Sequence, residues 1–199
     1  MKDFVLVLTF LCLSAQALAD AYTEFRETIR NGDVEHFQQI APAEEDIRAS
    51  AYNRGIDALT LAVGFDSLDI VKDILRRFPD YSAENAPEAM LLACSANRKN
   101  QEAIEIFLSS GITIDAKSRN GQNCLYSAVL QADYDFFDYL IGKGASVKTS
   151  IKPDPIFGYS SLITIEAFIA DRLDTYREMQ NRITSDCDKN QPHTHAINS

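Results

Sequence analysis

From about Phe25 onward the chain alternates short apolar bursts with polar turns. In Val71, Ile74 and Leu75, and again in Phe137, Leu140 and Ile141, the i, i+3, i+4 spacing makes one buried stripe on a helix. Ahead of each such helix runs a second kind of segment, in which a Leu (Met90 in the third unit) and a small Ala sit one turn apart: Leu59-Thr60-Leu61-Ala62, Met90-Leu91-Leu92-Ala93 and Leu125-Tyr126-Ser127-Ala128. A small residue there lets a neighbouring helix approach closely. Neither segment is long enough to be a stable helix alone, so the pattern predicts helix pairs that stack to bury their faces.

The punctuation between the bursts supports this reading. Asp57, Asn123 and Ser160 fall at equivalent positions, and each can accept a hydrogen bond from the exposed amides of a first helical turn. In the third unit Asn85-Ala86-Pro87-Glu88 offers a capping-box spacing, with Pro in the first turn. Gly111 and Gly144 supply left-handed stops after second helices, and in the second unit Phe78-Pro79-Asp80 takes that position, where the Pro alone should end the helix. Aligning Ala62, Ala93 and Ala128 gives a period close to ~33 residues, with about two extra residues around Lys99-Asn100.

These residues carry a family resemblance. From about Phe25 to Met179 the chain resembles the ankyrin repeat, whose Gly-x-Thr-Pro-Leu-His-x-Ala pattern corresponds to Gly55–Ala62 and Gly121–Ala128. The later finger pattern, Gly-Ala-Asp-Val-Asn, corresponds to Gly144-Ala145-Ser146-Val147-Lys148. No unit keeps Thr-Pro-Leu-His intact, and Thr60 and Tyr126 stand where the family has His. Phe25, Ile29, Asn31–Glu35, Phe37 and Ile40 read as a degenerate first repeat lacking its finger. Ile156–Leu162, Phe168, Leu173, Tyr176 and Met179 read as a degenerate last one. The expected fold is an all-α ankyrin-repeat solenoid of about five helix pairs.

The flanks set the domain limits. Lys2 precedes the apolar run Phe4–Leu13, about half of the ~20 residues that cross a bilayer. Ala17-Leu18-Ala19 then offers a small-x-small cleavage pattern, so 1–19 is expected to be a signal peptide cleaved after Ala19. Residues 20–184 form the expected repeat domain, and 185–199 a polar, flexible tail. No membrane span is expected after cleavage, and the chain has no Asn-x-Ser/Thr sequon. Both fit export to a bacterial periplasm.

Composition narrows the partners. The formal net charge of -10, without a dense Lys/Arg block, argues against nucleic acid and anionic lipid. Cleavage would leave Cys94, Cys124 and Cys187, an odd number that does not describe a disulfide scaffold. Cys94 reads as a small packing residue, and Cys124 as the residue replacing Pro at the opening of the next first helix. On stacked helices they differ by about five positions, roughly 7 Å along the axis, and no bridge between them is expected. Cys187 reads as a free thiol.

Candidate chemistry is sparse. The chain has no HExxH, Walker A, GxSxG or GxGxxG pattern. His193, His195 and Cys187 have metal-ligand types but lie in the tail without a scaffold. His36 and the pairs Glu44-Glu45, Glu102/Glu105 and Asp135/Asp138 fit solvated helix faces. Neither a cofactor, a metal nor a catalytic residue is expected.

The resemblance instead implies binding. Ankyrin proteins hold partners on finger tips and the exposed side of first helices. Matching positions here are Asn53, Arg54, Ile56 and Phe65, then Glu84, Arg98 and Lys99, then Arg119, Asn120, Gln122, Tyr126 and Gln131. Tyr and Arg dominate interface hot spots, which ranks Arg54, Phe65, Arg119 and Tyr126 first. The expected function is that of an exported protein-binding module, monomeric when unbound, acting as an inhibitor or immunity protein for a toxin or periplasmic enzyme. The alternative is a secreted effector or enzyme with its site in the divergent last repeat.

Overall fold

The computed structural model describes residues 19–52, 56–95 and 98–171, together with 177, 181 and 183. The expected signal peptide (but for Ala19) and the expected tail therefore lie outside the described residues. The chain divides into two compact units. One comprises the residues up to Cys94 with Arg98–Thr113, the other Ser95–Asn97 with everything from Ile114.

The first unit is built of helices. Residues 19–31 form α1, followed by α2 (Val34–Ile40), α3 (Glu44–Tyr52), α4 (Ala58–Gly64), α5 (Leu68–Arg77), α6 (Pro79–Ala93) and α7 (Gln101–Ser109). Helix α4 buries Ala58, Leu59, Leu61, Ala62 and Val63, so it is apolar all round and needs neighbours on several sides. Its main neighbour is α6, whose Ala86, Ala89 and Ala93 are fully buried. Helix α5 keeps Ile70, Val71, Ile74 and Leu75 inside, and ends on Arg76 and Arg77, which suit the negative helix terminus.

One turn recurs through both units. Asp33, Ser67, Asn100 and Asp133 each precede a second helix. Their backbone N–H groups donate to the carbonyls of Thr28, Ala62, Ala93 and Ala128. Alignment on Ala62, Ala93 and Ala128 thus has a structural basis, and the third turn holds the two extra residues. The residue before each cap, Gly32, Asp66, Lys99 or Ala132, has positive φ. Asp33, Asn100 and Asp133 also accept a first-turn N–H on their side chains. Ser67 does not; its hydroxyl donates to Ile29 O, tying the second turn to the first.

In the stretches that lead from the first pair into α4 and from α5 onward, the chain is helical and forms no finger. Helix α3 fills the stretch before α4, and α6 begins directly after α5 with Pro79 at its first position. Pro79 stops one helix and starts the next, because its fixed φ suits a first turn while it cannot continue the previous ladder. The capping box at Asn85–Glu88 is consequently not a helix start. Pro87 lies inside α6, and Asn85 is buried with its Nδ2 donating to Tyr81 O at 2.9 Å. Tyr81, in the first turn of α6, is also buried. Its hydroxyl accepts the Ala58 N–H at 2.8 Å, satisfying an amide that the start of α4 leaves open.

The second unit contains α8 (Cys124–Leu130), α9 (Tyr134–Gly142), β1 (Ser150–Ile151), a 3-10 turn (Pro155–Phe157), β2 (Ile163–Thr164) and α10 (Ile165–Asp171). The strands pair antiparallel, Ser150 with Thr164 and Ile151 with Ile163. Asp57 and Asn123 cap α4 and α8 as the sequence predicts, accepting from the N–H of Thr60 and Tyr126. Ser160 caps nothing of the kind: it is exposed in a loop, and Thr164 Oγ1 accepts the Ala167 N–H at the start of α10. The strand pairing delays that helix by four residues. Its partner in the fifth pair falls largely outside the described residues.

Candidate functional site

Two fingers stand in the second unit. The first, 115–122, turns at Ser118-Arg119-Asn120-Gly121, closed by the Ser118 N–H to Gln122 O and the Gly121 N–H to Ser118 O, both 2.8 Å. Gly121 has φ +75°, and a Cβ built on it would lie 2.9 Å from Lys152 Cβ. Glycine is required here twice over, for the left-handed turn and for the approach of the second finger. That finger, 146–152, is bound to the first by the Lys152 N–H to Gly121 O at 3.0 Å and the Ser146 N–H to Asp115 Oδ1 at 3.1 Å. Its other side is held by the Glu166 N–H donating to Val147 O at 2.9 Å.

The tips are consequently fixed by backbone bonds, while their side chains point outward. Lys117, Arg119, Asn120, Lys148, Ser150 and Lys152 are all exposed. Beyond Lys152 the loop is anchored from beneath: the Asp154 N–H donates to the Tyr126 hydroxyl at 3.1 Å. Tyr126, Phe157 and Tyr159 gather around Phe168 with ring centroids 5.3–5.7 Å apart. Ile156 and Leu162 are left outside this cluster, 80% and 63% exposed.

The predicted site residues sort accordingly. Arg119, Asn120 and Gln122 share one finger. Gln131 ends the following helix α8, about 10 Å of helix rise away, with its Nε2 donating to Ser127 Oγ at 2.8 Å. Tyr126 is a correction. It is 1% exposed and belongs to the core, because its ring packs edge-on against Phe168 and its hydroxyl holds the 154 loop.

In the first unit, Asn53 and Arg54 lie outside the described residues, and Ile56 is 46% exposed ahead of α4. Glu84 is on helix α6, not on a finger, and pairs with Arg48 of α3 at 2.9 Å. Arg98 is exposed, yet its guanidinium is spent on the last carbonyls of α4, Val63 O at 3.1 Å and Gly64 O at 2.6 Å. Lys99 holds the positive-φ position of the turn. Phe65 ends α4 half-buried, with the Arg26 and Arg30 guanidinium groups 5.4 and 4.8 Å from its ring. Beside it lies an open cavity of about 230 Å³, lined by Arg30, Phe65 and Asp69 among others.

Sequence reasoning missed Lys117, Lys148, Lys152, Ile156 and Leu162. Lys117 and Lys148 carry a signal, since they repeat at the same 31-residue offset as Asp115 and Ser146. Exposure of Leu162 follows from a strand pairing that the apolar pattern does not announce. The cysteines need a second correction. Cys94 and Cys124, for which no bridge is expected, are both disulfide-bonded and fully buried. Cys94 is the C-cap of α6 and Cys124 the first residue of α8, so an axial offset reckoned through helix bodies constrains neither.

No cluster of three or more metal-ligating side chains occurs among the described residues, and no described helix is long and apolar enough to cross a membrane. No curated protein matches the chain. Residues 59–151 match the family described as ankyrin repeats (3 copies), over the same stretch in which the turns, caps and fingers recur. Residues 59–151 thus form an ankyrin-repeat array, and with it the chain carries a protein–protein interaction module.

Proposed function

We propose that the protein is exported and that its ankyrin module occupies and blocks another protein, as a periplasmic inhibitor or immunity protein would. The observation that carries this reading is the pair of hydrogen-bonded fingers, which present exposed side chains on a base fixed by backbone bonds. A rigid base loses little entropy on binding, so the exposed tips can act as preorganised contacts. Export is supported by the Ala17–Ala19 cleavage pattern and by the disulfide bonding of Cys94 and Cys124, which suits an oxidising compartment. The unbound chain is a monomer, and its role is binding without catalysis.

The test is recovery of the tagged, processed protein from the periplasm of the producing cell. A stoichiometric partner should accompany it, and the partner's activity should fall when purified chain is added. Arg119→Ala combined with Gln122→Ala should weaken the complex about tenfold, or ~1.4 kcal/mol, at unchanged melting temperature. Absence of a stoichiometric partner, or a partner whose activity is untouched, overturns the inhibitor reading.

A further inference from the structure

The finger surface has a charge opposite to that of the chain around it. The two fingers, 115–122 and 146–152, carry Lys117, Arg119, Lys148 and Lys152 against the single carboxylate of Asp115. The whole chain has a formal net charge of -10. Asp115 is moreover turned to the finger base, where it accepts the Ser146 N–H. The next acidic group, Asp154, has its Oδ1 occupied by the Ile156 N–H.

Apolar side chains adjoin these cations. Ser150 pairs with Thr164 and Ile151 with Ile163, so the same register carried one step further sets Lys152 opposite Leu162. Opposed residues of an antiparallel pair lie about 5 Å apart at Cβ. Ile156 follows Lys152 by four residues, within roughly 14 Å of extended chain. Lys152 in turn hydrogen-bonds to Gly121, next to the Arg119-Asn120 tip. Arg119, Lys152 and Leu162 thus follow one another from the first finger to the strand partner of the second, and exposed Ile156 lies in the loop that the Asp154 N–H ties to Tyr126.

We infer that this surface docks an acidic, extended segment of a partner protein, in which carboxylates alternate with aliphatic or aromatic side chains. The inference rests on the binding-module reading and names the chemistry of the partner. The carboxylates would meet Lys117, Lys148 and Lys152, and the apolar side chains would cover Leu162 and Ile156. Charge complementarity selects the segment and speeds encounter, while apolar burial retains it. The alternation favours a peptide over a nucleic acid, whose continuous phosphates would leave both apolar residues uncovered.

An array of twelve-residue peptides in which Asp or Glu alternates with Leu, Ile, Val or Phe tests this on the full-length processed protein. An array with Asn and Gln in place of the acids, and a twelve-nucleotide single-stranded DNA, serve as comparisons. Acidic peptides should bind, their amide counterparts should not, and Lys148→Glu with Lys152→Glu should weaken binding about tenfold or more. Leu162→Ser should weaken it roughly fivefold. Lys72→Glu, a charge reversal on α5 of the first unit, should leave it within about twofold. Circular dichroism and melting of each variant confirm folding.

Absence of acidic-peptide binding overturns the inference, as does binding indifferent to the finger reversals or equal binding of DNA. The native partner separates this from the broader reading. A blocked partner that ignores Lys148→Glu and Lys152→Glu removes the acidic-segment inference and leaves the binding module standing; loss of any partner removes the module reading itself.

Discussion

At the scale of single residues, the repeat is written most clearly in the turns between paired helices. Gly32, Asp66, Lys99 and Ala132 all have positive φ, yet only one is glycine. Asp accepts this conformation better than most residues, whereas Ala carries its Cβ into the clash without a compensating side-chain bond. Ala132→Gly should therefore raise stability by about 1 kcal/mol, measured as a higher denaturation midpoint at unchanged slope. Ala132 is exposed, so no packing is lost in exchange. A lower midpoint would show that glycine's freedom in the unfolded chain outweighs relief of the clash.

The same scale explains which residues were legible in the sequence. Asp57 and Asn123 were, since a side-chain acceptor before an apolar run has a local mechanism. Tyr126 was not. Its position in the repeat suggests an exposed contact, and burial comes from Phe168 and the 154 loop, more than twenty-five residues away in sequence. Tyr81 shows the same behaviour with Ala58. A tyrosine read from pattern alone is ambiguous because its ring favours burial while its hydroxyl demands a partner. Burial pushes the Tyr81 hydroxyl far above the usual phenol range, so at ordinary pH it stays neutral.

At the scale of elements, α2 and α5 are joined by a buried ionic network with no counterpart in the repeat pattern. Asp73 is 3% exposed at its side chain and accepts from Gln38 Nε2 at 2.8 Å, Arg76 Nη2 at 2.9 Å and Arg77 Nε at 2.7 Å. Arg77 also donates to Ala41 O and lies over the rings of Phe37 and Phe78. Burial favours the neutral acid, but the bonds from Arg76, Gln38 and Arg77 outweigh it and hold Asp73 below its ordinary value. Asp73→Ala strands Arg77 among apolar neighbours and should cost about 3 kcal/mol. The pH dependence has a definite sign. With a folded pKa below the unfolded one, the contribution of Asp73 is complete above about pH 4 and is lost as pH falls through the lower folded value. Denaturant midpoints of the wild type and Asp73→Ala should thus converge below pH 4. A gap that persists unchanged into strong acid would show that the network acts by packing alone.

The elements also show where pattern reading stops. Second helices such as α5 and α9 were legible because three apolar residues on one face settle both helix and orientation. Helix α3 and the early start of α6 were not. Pro87 reads as a start signal because proline is commonest in first turns, and only the packing of Ala86, Ala89 and Ala93 against α4 makes it an interior residue. Fingers in the second unit, with their lysines, thus carry the surface features that the sequence distributes over every repeat.

For the whole molecule, the cysteines link structure to compartment. Cys94 and Cys124 are fully buried and disulfide-bonded, although an odd count at low density in the processed chain gives no sign of it. Cytosolic glutathione and thioredoxin keep such thiols reduced, so the bonded state suits the export proposed above. Protein recovered by osmotic shock, denatured and treated with iodoacetamide should leave both cysteines unlabelled until a reductant is added. A version lacking residues 1–19, retained in the cytosol, should label at both positions. Loss of a native disulfide commonly costs about 2–5 kcal/mol, and each kcal/mol moves the melt of a chain this size by roughly 2–4 °C. The reduced form should then melt roughly 4–20 °C lower. Peptide mass mapping reads both cysteines separately, so a single labelled position would already break the argument. Labelling of Cys94 and Cys124 without reductant in the exported protein would remove the oxidising compartment from the case for export, leaving the Ala17–Ala19 cleavage pattern as its support.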